Sequence, residues 1–298
     1  MLNISTSKYM EFISPKNNKA LNIALQNATP QEIKSFLYST DLKSLLENIF
    51  KNNLKTSDVT LLSILKNNTT LNNLGTVQNN IKNLLEITKF PLLSKFLINI
   101  DTLNSDNMKE VFTNSGIFLE SKLKNTQNIK EVCSKDLKAI LLQMNSEISI
   151  SHLDNKNEIL KQIDKILLQI DYYQLLSHIS HSSYIYLPFL WDLAEDGKIE
   201  IIEDKNSKFH CNIDISLKKF GALHIKVMLY EKNKIDILLY AEDNNFKTIL
   251  RKNIYLLKQE LQYIEIFPQN IKVFNYIKKD IENYIVKNSF DIGLRVDV

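Results

Sequence analysis

Apolar residues recur every three or four positions in the first half of the chain and every second position in much of the rest. That change of period is the main division in the sequence. Thr29-Pro30-Gln31-Glu32 sets a cap hydroxyl, a proline at the first helical position and a glutamate at the third. This is a capping box with φ already helical, and Ile33, Phe36 and Leu37 follow it. A second helix is predicted from Asp41 through Leu42, Leu45, Leu46, Ile49 and Phe50, and a third from Ser57-Asp58 through Val59, Leu62 and Leu65. Gly75 punctuates before an amphipathic stretch over 77–87, and Pro91 breaks the pattern. Further helices are predicted over 92–100, 105–112 and 128–144. Short helices with short polar joints predict a small bundle over residues 21–150, behind a polar, mobile start of 20 residues.

Residues 145–157 are polar, and the domain boundary is placed there. The strongest helical pattern follows: Ile159, Leu160, Ile163, Ile166, Leu167 and Ile170 form one face, and Glu158, Lys161, Asp164, Lys165 and Gln169 the rest. This helix is assigned to a second domain, 151–298. Beyond Ser183 the period becomes two. A strand is predicted over 184–191, with Pro188 marking an edge or bulge, then a turn at Glu195-Asp196-Gly197 and a strand over 198–203. Cys211, Ile213, Ile215 and Leu217 alternate on a further strand. In the stretch 221–241, Leu223, Ile225, Val227 and Leu229 point one way, and Ile235, Ile237 and Leu239 do likewise across a glycine-free turn. Asn233 is the turn residue best able to take a positive φ.

Asp243 or Asn244 caps the next helix. Its apolar face is Phe246, Ile249, Leu250, Ile254, Leu257, Leu261 and Ile264, and its outer face carries Lys247, Arg251, Lys252 and Lys258. Pro268 precedes a short strand over 271–274. A helix over 276–286 and an alternating segment from Phe290 to Val298 complete the pattern. The expected class is α+β: an N-terminal helical region, then a C-terminal antiparallel sheet packed against amphipathic helices.

Composition narrows the function classes. The 298 residues suffice for two cores. Lys+Arg 37 against Asp+Glu 34 gives a net charge of +3, too balanced for a nucleic-acid footprint. Cys133 and Cys211 form neither a disulfide framework nor a zinc spacing, which fits a reduced, cytoplasmic setting. No apolar run approaches the roughly 18–20 residues that span a bilayer, and the start lacks the apolar core of a secretory signal. His178 and His181 are three apart without a Cys, Asp or Glu cluster beside them. His210 and Cys211 are strand neighbours and so face opposite ways. With five glycines and no phosphate-loop, dinucleotide or nucleophile-elbow motif, the expectation is a non-enzyme without metal or cofactor. The basic helix face reads as solvated surface or as a protein-docking face, for which Tyr230, Tyr240 and Trp191 are anchors.

The order of strand Phe220-Gly221-Ala222-Leu223-His224-Ile225-Lys226-Val227, hairpin, strand, then a helix with Leu250, Leu257 and Leu261 resembles a known pattern. It is that of the C-terminal domain of bacterial flagellar hook-length control proteins. Phe220-Gly221 stands for that family's Leu-Gly pair, and Leu223, Ile225 and Val227 for its alternating aliphatics. Lys247 and Leu250, then Leu257-Lys258 and Leu261, stand for its helix motif. Tyr186-Leu187-Pro188-Phe189 and Asp196-Gly197-Lys198-Ile199 resemble the lead-in of one branch. Leu217 and Glu265 stand where the family commonly has proline and glycine.

The resemblance implies a non-enzymatic switch that docks on the cytoplasmic domain of the flagellar export-gate switch component. Type III export then changes from hook to filament subunits. It makes hook or hook-cap subunits further candidate partners, excludes nucleic acid and membrane insertion, and makes the first 20 residues a candidate uncleaved export signal. The protein is then cytoplasmic, with export through the flagellar apparatus as a further step. The expected docking residues are Lys226, Tyr230, Tyr240, Lys247 and Arg251. Two readings stand beside it: a structural or scaffold protein of a flagellar or related secretion system without switching activity, and a nucleic-acid-binding α+β domain.

Overall fold

The computed structural model describes residues 75–180, 182–203, 209–231 and 233–276. The helices expected over 30–65, the polar start, the helix expected after Tyr276 and the alternating segment 290–298 lie outside them. The protein is α+β, with helices preceding a mixed sheet. It divides into two compact units, Met1–Asp192 and Leu193–Val298. Among the described residues no helix is long and apolar enough to cross a membrane.

The first unit opens with α1, Val77–Thr88, where Thr76 Oγ1 accepts the Asn79 N–H at 3.1 Å. The helix expected over 92–100 is instead two 3-10 turns, Pro91–Phe96 and Ile100–Thr102. The cause lies between them. The Ile100 N–H donates to Leu190 O at 2.8 Å and the Leu190 N–H to Ile98 O at 2.7 Å, which takes these groups out of any helical ladder. The same bridge, with Pro188 before it, limits the strand expected over 184–191 to β1, Ser183–Tyr186. Then come α2, Ser105–Thr113, and α3, Leu119–Asn125, the latter too short to leave a periodic signal.

The single helix expected over 128–144 is two: α4, Ile129–Lys135, and α5, Leu137–Ser149. Asp136 separates them. Its backbone is extended (φ −86°, ψ 132°), and its carboxylate accepts the Lys138 N–H at 2.9 Å as the cap of α5. An aspartate competes for local N–H groups and so starts a helix more readily than it continues one.

The 25-residue α6, Lys156–Ser180, corrects the expected boundary near 150. Its Ile159, Ile163, Ile166 and Ile170 are buried in one core with Val77, Ile81 and Leu84 of α1, Leu137, Ile140 and Met144 of α5, and Ile185 of β1. The helix therefore belongs to the first unit. A polar loop is not a domain boundary when the stripe after it completes the core before it.

A polar seam crosses this unit. Lys138 Nζ meets Glu120 Oε1 at 2.6 Å, Gln174 Oε1 at 2.7 Å and Asp171 Oδ1 at 2.8 Å. Burial pulls the Lys138 pKa down, but Asp171 and Glu120 outweigh it and the net shift is upward. Lys122 Nζ meets the fully buried Asp136 Oδ2 at 2.7 Å and donates to Thr113 O at 2.8 Å. Gly116 (φ +92°) threads between, where a Cβ would press on Ile170 Cδ1 at 2.9 Å and Lys138 N at 3.1 Å.

The second unit is built on β2, Ala194–Glu203; β3, Phe209–Leu217; β4, Gly221–Tyr230; and β5, Lys234–Ala241, each antiparallel to the next. The turn expected at Glu195-Asp196-Gly197 lies inside β2. There the register slips between Ala194 and Asp196, a bulge that absorbs the extra residue. In the turn after β4, Glu231 (φ 48°) takes the left-handed conformation expected of Asn233. Asn233 is used otherwise: its N–H donates to Glu231 O and its carbonyl accepts the Phe267 N–H, both at 2.8 Å.

The covering helix α7, Asn244–Tyr263, is capped by Asp243, whose Oδ1 accepts the Phe246 N–H at 2.7 Å. It returns the chain to the starting end of β5, so β6, Phe267–Asn275, pairs parallel with β5. The expected antiparallel sheet is thus mixed. A parallel neighbour requires a crossover about this long. Past the end of α7, Glu265 has φ 61°, and the Ile266 N–H closes onto Leu261 O at 2.9 Å. A glutamate pays about 1 kcal/mol for that conformation and glycine does not. Glu265→Gly should therefore raise the stability of the second unit by about 1 kcal/mol, read as a higher urea midpoint at unchanged slope; a lower midpoint would contradict this reading of the corner.

Candidate functional site

The segment that carries the family-like pattern forms one substructure. Cross-strand partners are Ile225 with Leu239, Val227 with Ile237 and Leu229 with Ile235, so the alternating aliphatics share one face. Ile225 and Val227 pack with Ile235, Ile237 and Leu239 against Leu250, Leu257 and Leu261 of α7. Leu223 is buried on the same face of the sheet. Phe220 stacks on Phe246 with ring centroids 4.6 Å apart, which ties the start of β4 to the first turn of α7.

Gly221 stands at the corner with φ +69°, where a Cβ would collide with Glu242 Oε2 and lie 3.1 Å from its Cδ. That carboxylate accepts the Ala222 N–H at 2.8 Å, and the Glu242 N–H returns to Ala222 O at 3.0 Å. The glycine is needed for two reasons, the left-handed φ and the close carboxylate.

The opposite face of the sheet is polar and ordered in rows. One row crosses five strands as Lys198, Asp214, His224, Tyr240 and Phe274; the next runs Glu200, Asn212, Lys226, Leu238 and Lys272. In the first, His224 is fully buried, and its Nδ1 lies 2.5 Å from Asp214 Oδ1. Its Nε2 is buried with no hydrogen-bond partner among the described residues. Lys198 Nζ approaches Asp214 Oδ2 at 3.6 Å, and Tyr240 stacks on Phe274 at 5.3 Å. In the second row Asn212 Nδ2 donates to Glu200 Oε2 at 3.1 Å. Burial pulls the Lys226 pKa down, against the upward pull of Asp214 and Glu200. Opposite charges on adjacent strands favour this register over a slipped one. The Asp214–His224 pair was not singled out from the sequence. Its signal is the antiparallel hairpin itself, which brings two polar positions ten residues apart face to face.

The five expected docking residues do not make one surface. Lys226, Tyr230 and Tyr240 lie on the polar face of the sheet, the first with its Nζ 5.8 Å from the Tyr240 ring centroid. Lys247 and Arg251 lie on the other layer. Lys247 is only 5% exposed and its Nζ donates to Asn275 Oδ1 at 2.5 Å, so it holds the end of β6 instead of facing a partner. The helical pattern placed Lys247 on the outer face because the later return of β6 beside it leaves no local signal. Arg251 is exposed and donates through Nη2 to Val273 O at 3.3 Å. Trp191 belongs to the first unit.

Burial pushes the Cys133 thiol up to about 11, and Cys211, faced also by Glu200, up to about 11. Neither is a thiolate nucleophile at neutral pH. Among the described residues no group of three or more His, Cys, Asp or Glu side chains is placed to hold a metal ion; the side chain of His178 and all of His181 lie outside them. No family model, curated protein or solved structure matches this chain.

Proposed function

We propose that the C-terminal unit is a docking module that switches flagellar type III export from hook to filament subunits. Its partner is the cytoplasmic domain of the export-gate switch component. The observation that carries this reading is the meeting of the pattern residues: Ile225 and Val227 of β4 and Leu250, Leu257 and Leu261 of α7 close one apolar cluster. A second feature supports it. Glu265, where the resembled family commonly has glycine, sits at a positive φ, so the backbone there asks for the family's residue. A switch of this kind works by presenting a surface, and the chemistry is that of contact. Cys133 and Cys211 are free, so no cross-link between them opposes unfolding for passage through an export channel.

Titration of the full chain into the purified cytoplasmic domain of the export-gate component tests the reading by calorimetry. The expected result is a saturable one-to-one isotherm in the micromolar range, as for transient signalling contacts. A flat titration at high protein concentration would contradict it.

A further inference from the structure

β6 stands last in the strand order, with β5 on one side and no strand on the other among the described residues. One bond shows which of its backbone groups face outward. The Tyr276 N–H donates to Ala241 O at 3.0 Å, so Phe274 and Lys272, at the same parity, also turn their N–H and C=O groups toward β5. Ile271, Val273 and Asn275 turn theirs away. The contact of Arg251 agrees, since its Nη2 reaches Val273 O from α7. Such an edge is a template for a further strand, and native chains cover it or blunt it.

The side chains along the edge define what fits. Ile271 and Val273 pack into the apolar cluster under α7. Lys272 ends the row Glu200, Asn212, Lys226 and Leu238 on the polar face. An added strand must therefore alternate, apolar toward α7 and acidic beside Lys272. The flank of α7 that faces this edge is also uncovered: Tyr255, one turn after Arg251, is 59% exposed.

The chain carries a segment with that pattern. Phe290, Ile292, Leu294, Val296 and Val298 alternate with Asp291, Gly293, Arg295 and Asp297. We propose that residues 290–298 close the edge as a strand β7, parallel to β6, with Phe290 beside Ile271 and Asp291 beside Lys272. In this register the Asp291 and Gly293 N–H groups donate to Ile271 O and Val273 O. The Val273 and Asn275 N–H groups donate to Asp291 O and Gly293 O.

The connection sets the direction. The helix predicted over 276–286 rises about 16 Å, and Ile271 lies about 13 Å back from Asn275 along β6. The helix thus returns the chain to where a parallel strand begins. An antiparallel strand would begin beside Asn275, and residues 287–289 span at most about 11 Å, too little to go back. A right-handed crossover places this helix on the face that α7 covers. Its stripe Ile277, Ile281, Tyr284 and Ile285 then meets the apolar side chains of β7. The placement does not depend on the switch reading. It does bear on it, because a closed edge leaves the partner the polar sheet face and the outside of α7, and no strand to extend.

Hydrogen exchange of the full chain, read amide by amide, tests the placement. Gly293→Pro removes an N–H aimed at β6 and bars pairing there. The Val273 and Asn275 amides should exchange at least about tenfold more slowly in the wild type than in this variant. The Lys272 and Phe274 amides, bonded to β5, should keep their protection and show that the sheet remains folded. Asp291→Lys should also speed exchange at Val273 and Asn275, and adding Lys272→Asp should restore protection. Equal exchange at Val273 and Asn275 in the wild type and Gly293→Pro would overturn the proposal. Protection that appears only when the export-gate domain is added would give the edge to a partner strand and overturn it too. Protection that rises with protein concentration would give it to a second copy, with the same consequence.

Discussion

Gly221→Val should lower the stability of the C-terminal unit by about 3 kcal/mol. Two costs combine. A β-branched residue held at φ +69° costs about 1–2 kcal/mol. Its Cβ would also displace the Glu242 carboxylate from the Ala222 N–H, and a lost charge-assisted hydrogen bond of this kind costs about 1–2 kcal/mol. For a unit of this size the loss corresponds to a fall of roughly 10–20 °C in melting temperature. A double variant with Glu242→Ala separates the costs. Measured against Glu242→Ala alone, in which the hydrogen bond is already absent, it should lose only the backbone strain of about 1–2 kcal/mol. An unchanged melting temperature in Gly221→Val would mean that the corner is not built as described.

Asp136→Ala should destabilise the first unit by about 3 kcal/mol in urea denaturation. The substitution removes the cap of α5, worth about 1 kcal/mol, and takes the counter-ion from Lys122, whose side chain is 18% exposed. Asp136→Asn keeps a capping oxygen and should cost less than half as much. The pH dependence distinguishes the charge from the cap. Burial raises the Asp136 pKa, against the opposing pull of Lys122 and of the Ala139 and Lys138 N–H groups. The folded state therefore holds this proton more tightly than the unfolded chain does. The contribution of Asp136 is most favourable below the unfolded value of about 4 and declines as pH rises through the raised folded value. The stability gap between wild type and Asp136→Asn should accordingly narrow with rising pH above about 4. A gap that widens over that range would contradict the assignment of burial as the dominant cause.

These two residues also mark what the sequence made legible. Gly221 stood out because it begins a period-two run, and local patterning encodes what its own neighbours do. The same holds for the shared face of Ile225, Val227, Ile237 and Leu239, and for the stripe Leu250–Leu257–Leu261. Asp136 was hidden inside an apolar periodicity that runs through it from Val132 to Leu141, because period reports a face and not the continuity of the helix. Glu195-Asp196-Gly197 was mistaken for a turn because the chain carries an extra residue there: Glu195 bulges out of the ladder, while Gly197 pairs regularly with Ile215. The parallel placement of β6, the burial of Lys247 against Asn275 and the membership of α6 in the first core all depend on chain returning from far away. Local spacing carries no trace of such returns. Ile249 fitted the apolar face of α7 in sequence, and only the position of β6 shows that it points off the covered core.

The most direct test of the account is the length of flagellar hooks, measured by electron microscopy on cells from which this chain has been deleted. A switch that is absent cannot end hook export, so the expected result is hooks of excessive and uncontrolled length that carry no filament. Hooks of ordinary length bearing filaments would contradict the account and favour a scaffold without switching activity.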